Sequence, residues 1–117
     1  MSDELFDLNE FKERVQDDTE LLLELLDIFC ADYELKRQSL QQAIDKGDCD
    51  EVKSVAHSLK GASGNISAKS MREIFVQIEE AAKAGDVSGA PVLLGKLDEI
   101  YVQLSKRMAE VKSELSK

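Results

Sequence analysis

The chain contains a single histidine, His57, and it stands among residue types that suit the handling of an anion. Lys53 precedes it by four positions and Lys60 follows by three, while Gly61 and Gly64 follow by four and seven. Residues three or four apart are neighbours on one face of a helix. On a helix, this segment therefore presents an imidazole, two ammonium groups and bare backbone side by side. A lysine one turn from an imidazole can screen the charge of a phosphoryl group on the ring.

Gly61 and Gly64 are unexpected in a helix, because each glycine costs about 1 kcal/mol relative to alanine there. The absence of side chains beside His57 opens the imidazole to a large partner and lets that partner approach closely. Departures from local helix preference tend to mark functional sites, so the glycines indicate a contact surface. The ordinary alternative is that they end the helix or admit a neighbouring helix.

The charge distribution points to the same segment. The chain has 15 basic and 24 acidic residues, a formal net charge of −9, yet no Asp or Glu lies between Val52 and Arg72. Three lysines, Lys53, Lys60 and Lys69, accompany Arg72 in that window. A lone histidine is usually an ordinary surface or core residue, and a few basic residues can fall together by chance. Their joint occurrence with the glycines is what favours binding of a local anion.

The elements that must hold this face are helical. The chain has one proline and no tryptophan, and alanine and straight-chain residues outweigh the aromatic and β-branched residues that a sheet favours. Apolar periodicity and capping residues predict five helices. The first is a short helix after the N-cap Asn9, and the second is a long helix from Asp17–Thr19 to Gly47. The third is capped by Asp48 or Asp50 and carries His57. The fourth is capped by Ser67 and ends near Gly85, and the last has Pro91 in its first turn.

Four amphipathic helices joined by short connections predict an all-α fold, an antiparallel four-helix bundle with a short extra N-terminal helix and a long C-terminal helix. No repeat or linker divides the chain, so residues 1–117 are expected to form one domain. The last helix has a bundle or coiled-coil seam of Leu97, Tyr101, Leu104, Met108, Val111 and Leu115. Because this seam runs almost to the C-terminus, we expect the helix to project beyond the bundle or fray, in preference to pairing with a second chain.

Composition also limits the partners and the compartment. The negative net charge disfavours nucleic acid and membrane as partners and favours a soluble monomer. Cys30 and Cys49 lack the spacing of metal ligands and are expected to be reduced thiols. The sequence has no apolar signal segment and no run long enough to span a membrane, so a cytoplasmic location is expected. Without a nucleotide-binding glycine loop or a metal-ligand cluster, no cofactor is expected on this chain.

The segment from Ala56 to Met71, AHSLKGASGNISAKSM, resembles the signature of histidine-containing phosphotransfer (HPt) domains, a His-x-x-Lys-Gly pattern followed by small residues. The similarity extends to the segment from Leu8 through DDTELLLELLDIF, to AIDKGDCDEV and to IEEAAKAGD, and so covers nearly the whole chain. One departure is Ser67, at the turn into the next helix, where many members have glycine. Ser67 can still cap that helix.

The resemblance implies a role for each residue of the signature. His57 is the implied phospho-acceptor, Lys60 stabilises the charge of the phosphoryl group, and Gly61 leaves clearance for a partner. The partner-binding residues expected around them are Lys53, Ser58, Gly64 and Lys69.

The resemblance also implies a function, that of a histidine phosphotransfer intermediate in a two-component phosphorelay. His57 would accept a phosphoryl group from the phospho-aspartate of a receiver domain and pass it to another receiver aspartate. The implied partners are response-regulator receiver domains and a hybrid histidine kinase, with magnesium bound only by the receiver. The protein would be a phosphocarrier without kinase or phosphatase activity. Two alternatives stay open, an unphosphorylated helical adaptor that docks on receivers and a protein that oligomerises through its C-terminal helix.

Overall fold

The computed structural model describes residues 2–116, and the regular structure of these residues is entirely α-helical. Six helices follow one another: α1 (Ser2–Leu5), α2 (Leu8–Arg14), α3 (Thr19–Lys46), α4 (Cys49–Asn65), α5 (Lys69–Lys83) and α6 (Ala90–Leu115). The predicted all-α class and the five predicted helices are confirmed, and the four-residue α1 is an addition. None of the helices within the described range is both long and apolar enough to cross a bilayer.

Capping side chains and one left-handed glycine set the ends of the long helices. Asp18 accepts a hydrogen bond from Leu21 N at 3.0 Å before α3, and Asp48 accepts one from Glu51 N at 3.1 Å before α4. Gly47 follows α3 with φ 69°, a left-handed conformation that costs glycine little. Gly47 and Asp48 therefore reverse the chain and fix where the histidine-bearing helix begins, as predicted.

Two of the predicted capping residues are wrong. The short helix α2 is capped by Asp7, which accepts from Glu10 N, and not by Asn9. Helix α5 begins after Ala68 without a side-chain cap. Ser67 cannot serve there because its backbone is left-handed, with φ 61°, and its hydroxyl donates to Glu10 Oε1 at 2.7 Å. Glycine adopts a left-handed conformation more readily than serine does, which is why glycine suits this turn.

The four long helices surround one apolar core, which confirms the predicted bundle. Helix α4 packs against α3 and α5, and α6 packs against the same two helices. Each of the four contributes buried side chains, among them Leu26, Leu40, Leu59, Phe75 and Leu97. Helices α4 and α6 therefore occupy opposite corners of the bundle, and the outer side of α4 faces solvent.

The C-terminal helix pairs with α3 along its length, so the expected projection is wrong. Pro91 lies in its first turn, as predicted. Side-chain contacts between the two antiparallel helices join Asp98 with Arg37, Tyr101 with Glu34, Met108 with Cys30 and Lys112 with Asp27. Helix α3 is 28 residues long and lies beside α6 from Asp98 to Lys112, and the seam residues Leu104, Met108 and Val111 are buried. These seam residues are consequently not exposed for pairing with a second chain.

Candidate functional site

Helix α4 holds His57 with its side chain in solvent. The helix buries Val52, Ala56, Leu59 and Ser63 against the core. His57 follows Ala56 and so lies just off the buried stripe, and its side chain is 68% exposed. Acidic residues in the first turn suit the positive end of the helix dipole and support this helix locally. The imidazole is therefore displayed from the middle of a rigid helix.

A buried carboxylate from α5 holds one nitrogen of the ring. Glu79 Oε2 lies 2.9 Å from His57 Nδ1, and the Glu79 side chain is only 6% exposed. Glu79 is adjacent to Ile78 and one turn from Phe75, both of which α5 buries. An ionised carboxylate removed from water is costly unless it is paired and hydrogen bonded. This position therefore needs a cation.

Lys60 supplies that cation. Its Nζ donates to Glu79 Oε1 at 2.6 Å. The hydrogen bond from Lys60 lowers the pKa of the Glu79 carboxyl against the opposing effect of burial, and the bond to His57 lowers this pKa further. Glu79 is thus ionised at neutral pH, with one oxygen on Lys60 and the other on His57.

The ionised carboxylate determines which nitrogen of the neutral imidazole carries the proton. A carboxylate only accepts hydrogen bonds, so His57 Nδ1 must donate to Glu79 Oε2. The lone pair then lies on Nε2. A ring that is anchored at Nδ1 and exposed to solvent presents Nε2 as a nucleophile.

The two glycines that follow His57 have different surroundings. A Cβ atom on Gly61 would meet nothing within 4 Å, so the surface beside the imidazole is open. A Cβ atom on Gly64 would lie 3.5 Å from the Arg72 side chain, and the Gly64 carbonyl accepts a hydrogen bond from Arg14 at 2.9 Å. Clearance beside the imidazole therefore belongs to Gly61, whereas two arginines contact Gly64.

Basic side chains from three helices lie near His57 or near the residues beside it. Lys53 is exposed one turn before His57 on α4. Lys36 of α3 donates to Ser58 Oγ at 2.7 Å on one flank. Lys83 of α5 lies close enough to Glu79 on the other flank for its charge to lower the pKa of that carboxyl. The structure thus brings the predicted Lys53 and Ser58 to the surface around His57 and adds lysines from the neighbouring helices.

The predicted residues Gly64 and Lys69 belong to a second cluster, at the α4–α5 turn. Lys69 Nζ lies 3.1 Å from Asp7 Oδ2 and 3.4 Å from Glu10 Oε2. Asp7 N donates to the Ser67 carbonyl at 3.0 Å. The N-terminal segment thus bonds to the turn that follows α4, and the Lys69 side chain is paired with carboxylates of the same chain.

Glu79 is the site residue that the sequence analysis missed. It stands four residues after Phe75 and three before Ala82, on the apolar stripe of α5. An acidic residue at such a position is rarely buried unless it is paired, and this was the available signal. Periodicity within α5 does not reveal which helix lies opposite, so the sequence could not predict that Glu79 contacts His57 and Lys60 of α4.

Neither a metal centre nor a disulfide adds to this arrangement in the part of the chain that the structure describes. No group of three His, Cys, Asp or Glu side chains is placed to hold a metal ion within that part. Cys30 and Cys49 are both free thiols.

Comparisons with known proteins identify the family of the chain. The family model of the Hpt domain matches residues 24–114. The crystal structure of histidine-containing phosphotransfer protein B (HptB) from Pseudomonas aeruginosa PAO1 is similar, with a TM-score of 0.75 and 28% sequence identity over 93% of this chain and 90% of that chain. Comparison with curated protein sequences finds no match. Proteins of the matched family are phosphocarriers of phosphorelays that interact with receiver domains and histidine kinases. With most of its length covered by the family model, the chain belongs to the Hpt domain family.

Proposed function

We propose that the chain is the histidine phosphotransfer intermediate of a two-component phosphorelay, with His57 as its phospho-acceptor. The observation that carries the proposal is the hydrogen bond between His57 Nδ1 and Glu79 Oε2, because it leaves Nε2 as the nucleophilic nitrogen. The exposure of the ring allows a protein as large as a receiver domain to reach that atom.

In the forward step, His57 Nε2 attacks the phosphorus of a receiver's aspartyl phosphate, in line with the bond to the aspartate oxygen. The N–P bond forms while the O–P bond breaks, and the aspartate leaves as a carboxylate. Nδ1 keeps its proton, so the phosphorylated ring is an imidazolium. The Glu79 carboxylate, 2.9 Å from Nδ1, stabilises that positive charge. Return of the phosphoryl group to a second receiver aspartate is the reverse of this step.

Lys60 stabilises the phosphoryl group itself. An ammonium group has three N–H donors, and one of them serves Glu79 Oε1. The remaining donors are available to the phosphoryl oxygens, since Lys60 is one helical turn from His57. Lys60 therefore acts on the phosphoryl group without leaving the buried carboxylate.

The proposed partners are response-regulator receiver domains and a hybrid histidine kinase. Gly61 leaves room for the receiver, and Lys53 and Ser58 lie on the surface that the receiver would cover. Gly64 and Lys69 take part in the cluster at the α4–α5 turn instead. The chain acts as a monomeric phosphocarrier with no cofactor and no kinase or phosphatase activity of its own, while magnesium is bound by the receiver.

A transfer assay tests the proposal. Purified receiver domains are phosphorylated with acetyl phosphate in the presence of magnesium and are then mixed with the chain. We expect phosphate on the wild-type chain that is labile in acid and stable in alkali, as a phosphohistidine is. The His57→Gln variant should fold normally, because the ring is mostly exposed, and should take up no phosphate.

A small phosphoryl donor, phosphoramidate, provides the control that needs no docking. If His57→Gln becomes labelled, His57 is not the acceptor. If phosphoramidate labels the wild-type chain but no receiver of a broad panel does, the phosphorelay function is wrong. Receivers that bind the chain without labelling it would indicate the adaptor alternative.

A further inference from the structure

The turn between α4 and α5 is built around a serine in a left-handed conformation. Ser67 has φ 61° and is almost completely buried. Its N–H donates to the Gly64 carbonyl at 3.1 Å, and the N–H of Ala68 donates to the Ser63 carbonyl at 2.9 Å. These two bonds form a Schellman motif, in which glycine is the usual left-handed residue because a Cβ atom makes that conformation unfavourable. A serine at this position therefore needs support from elsewhere in the chain.

The N-terminal segment supplies that support through three hydrogen bonds. Glu10 Oε1 accepts from the Ser67 hydroxyl at 2.7 Å, and Asp7 N donates to the Ser67 carbonyl at 3.0 Å. Arg14 Nη1 donates to the Gly64 carbonyl at 2.9 Å. The bond to Glu10 uses the serine side chain itself, so it is a support that glycine would neither form nor require.

The position of α5 along α4 depends on this turn. Only residues 66–68 connect the two helices, and α5 begins without a side-chain cap of its own. Antiparallel helices with so short a connection keep the register that the connection sets. His57 lies ten residues before Ser67 and Glu79 lies twelve residues after it, on the two arms of this helical hairpin.

The contacts of Glu79 with α4 depend on that register. The carboxylate reaches His57 Nδ1 at 2.9 Å and Lys60 Nζ at 2.6 Å, and both partners belong to α4. Hydrogen bonds weaken steeply when distance and angle depart from their optimum, so a small shift of α5 along α4 would loosen both contacts at once. Displacement of a catalytic group by about 1 Å can slow a reaction severely.

We propose that Glu10 is a positioning residue for the transfer reaction. Its bond to the Ser67 hydroxyl holds the left-handed turn, and the turn holds α5 in the register that joins Glu79 to His57. Glu10 acts through the turn, since even Gly64 lies roughly 10 Å along α4 from His57 at 1.5 Å per residue. The kinetic part of this inference rests on the proposed function, whereas its consequence for the tautomer of His57 does not.

A simpler role for α2 is general stabilisation of the bundle, because the helix and its C-cap contribute Phe11 and Val15 to the core. The two roles differ in what repairs the loss of Glu10. Ser67→Gly removes the Cβ atom and hydroxyl for which the bond is needed, so it should repair a positioning defect. It adds no contact between α2 and the core, so it should not repair a general loss of packing.

The test uses three single variants, a double variant and a matched control. Glu10→Ala removes the acceptor while it preserves helix propensity. Glu10→Gln keeps an oxygen that can accept from Ser67 but removes the charge that pairs with Arg14 and Lys69. Ser67→Gly is made alone and together with Glu10→Ala. Glu13→Ala is the control, since it removes the same charge from an exposed position of the same helix.

The readouts are the tautomer of His57 in nitrogen NMR spectra and the single-turnover transfer rate against receiver concentration. Circular dichroism gives the unfolding midpoint of each variant, and all measurements are made well below it. We expect Glu10→Ala to populate both tautomers and to slow transfer at saturating receiver about three- to tenfold. Glu10→Gln, Ser67→Gly and Glu13→Ala should stay within about twofold of the wild type. The double variant should recover the wild-type tautomer and rate, because glycine adopts the left-handed conformation without help.

Three results overturn the inference. The first is a wild-type tautomer distribution and transfer rate in Glu10→Ala. The second is a defect that Ser67→Gly does not repair, which would make Glu10 a general support of the bundle. The third is a change confined to the half-saturating receiver concentration, which would make Glu10 a direct contact of the receiver. If no receiver labels the wild-type chain, the proposed function is refuted, and the tautomer spectra alone then decide whether Glu10 positions His57 and Glu79.

Discussion

Lys60 and Glu79 form an ion pair between α4 and α5 with Nζ 2.6 Å from Oε1, and the other oxygen of the same carboxylate holds His57. Lys60 and His57 thus each bond to one oxygen of the buried Glu79 carboxylate. Lys60 keeps the carboxylate ionised, and the ionised carboxylate fixes the tautomer of the imidazole. In the proposed function, the lysine of the signature therefore acts on His57 Nε2 through Glu79 as well as on a phosphoryl group.

Replacement of Glu79 by glutamine should weaken both the stabilisation of the phosphorylated ring and the control of the imidazole tautomer. The amide keeps the shape of the side chain, but it loses the charge that stabilises the phosphorylated ring and pairs with Lys60. We expect single-turnover transfer to slow roughly tenfold, about 1.4 kcal/mol in the barrier. In nitrogen NMR spectra, the neutral ring of His57 should lose its strong preference for the tautomer protonated at Nδ1.

The matched control for this variant is Glu80→Gln, which removes the same charge from the neighbouring, exposed position of α5. It should leave the transfer rate and the tautomer unchanged. Wild-type behaviour of Glu79→Gln in both measurements would disprove a positioning role for the carboxylate.

Replacement of Lys60 by alanine should leave the fold intact but lower its stability. Glu79 stays buried and loses its cationic partner, a loss of about 1–3 kcal/mol in the free energy of unfolding. Transfer should also slow at saturating receiver, because a donor to the phosphoryl oxygens is gone. Urea denaturation and single-turnover kinetics measure the two effects.

Lys53→Ala removes an exposed lysine from the same helix and should change the free energy of unfolding by less than about 0.5 kcal/mol. In the double variant Lys60→Ala/Glu79→Gln the buried charge is absent, so part of the stability that Lys60→Ala loses should return. An unchanged stability of Lys60→Ala would contradict the coupling between the two residues.

Replacement of Gly61 by glutamine should separate stability from function. A Cβ atom at this position meets no atom within 4 Å, and glutamine is a better helix former, so the protein should gain about 0.5–1 kcal/mol of stability. The same side chain fills the space beside His57, and transfer from the receiver should fall by at least about tenfold. Denaturation and the transfer assay give the two readouts.

Gly95 offers the control, since it is a glycine within α6 with equally open surroundings. Gly95→Gln should show a similar gain in stability with normal transfer. Normal transfer by Gly61→Gln would mean that the glycine provides no clearance for the partner.

The lowered pKa of Glu79 should appear in the pH dependence of stability. Its carboxyl titrates below the ordinary value of 4.5 in the folded chain, so the unfolded chain binds this proton first as the pH falls. The stabilisation is complete above about pH 4.5 and is lost as the pH falls through the folded pKa. Below pH 4.5, the free energy of unfolding should decline more steeply for the wild type than for Glu79→Gln. Parallel curves would exclude an ionised carboxylate with a lowered pKa at this site.

Local sequence patterns were sufficient to predict much of the fold and the face of α4 that carries His57. The spacing of apolar residues predicts the helices, since burial of one face requires a period near 3.6, and Asp18, Gly47 and Asp48 mark boundaries through short-range hydrogen bonds and backbone preference. His57, Lys60 and Gly61 share a face because Lys60 and Gly61 follow His57 by three and four positions on one helix. Their juxtaposition follows from helical geometry alone.

Tertiary packing decided what lies opposite each helix. Glu79 reaches His57 only because α5 packs on α4, and the C-terminal seam is buried because α6 packs against α3 and α5. Ser67 was misassigned as a cap because its backbone is left-handed and its hydroxyl donates to Glu10, which is 57 residues distant in sequence. The sequence by itself predicted His57 as the phospho-acceptor and determined which neighbours share its helix face. The bundle decided which ring nitrogen is nucleophilic, because that depends on a carboxylate from another helix, brought there by burial of a core that every helix shares.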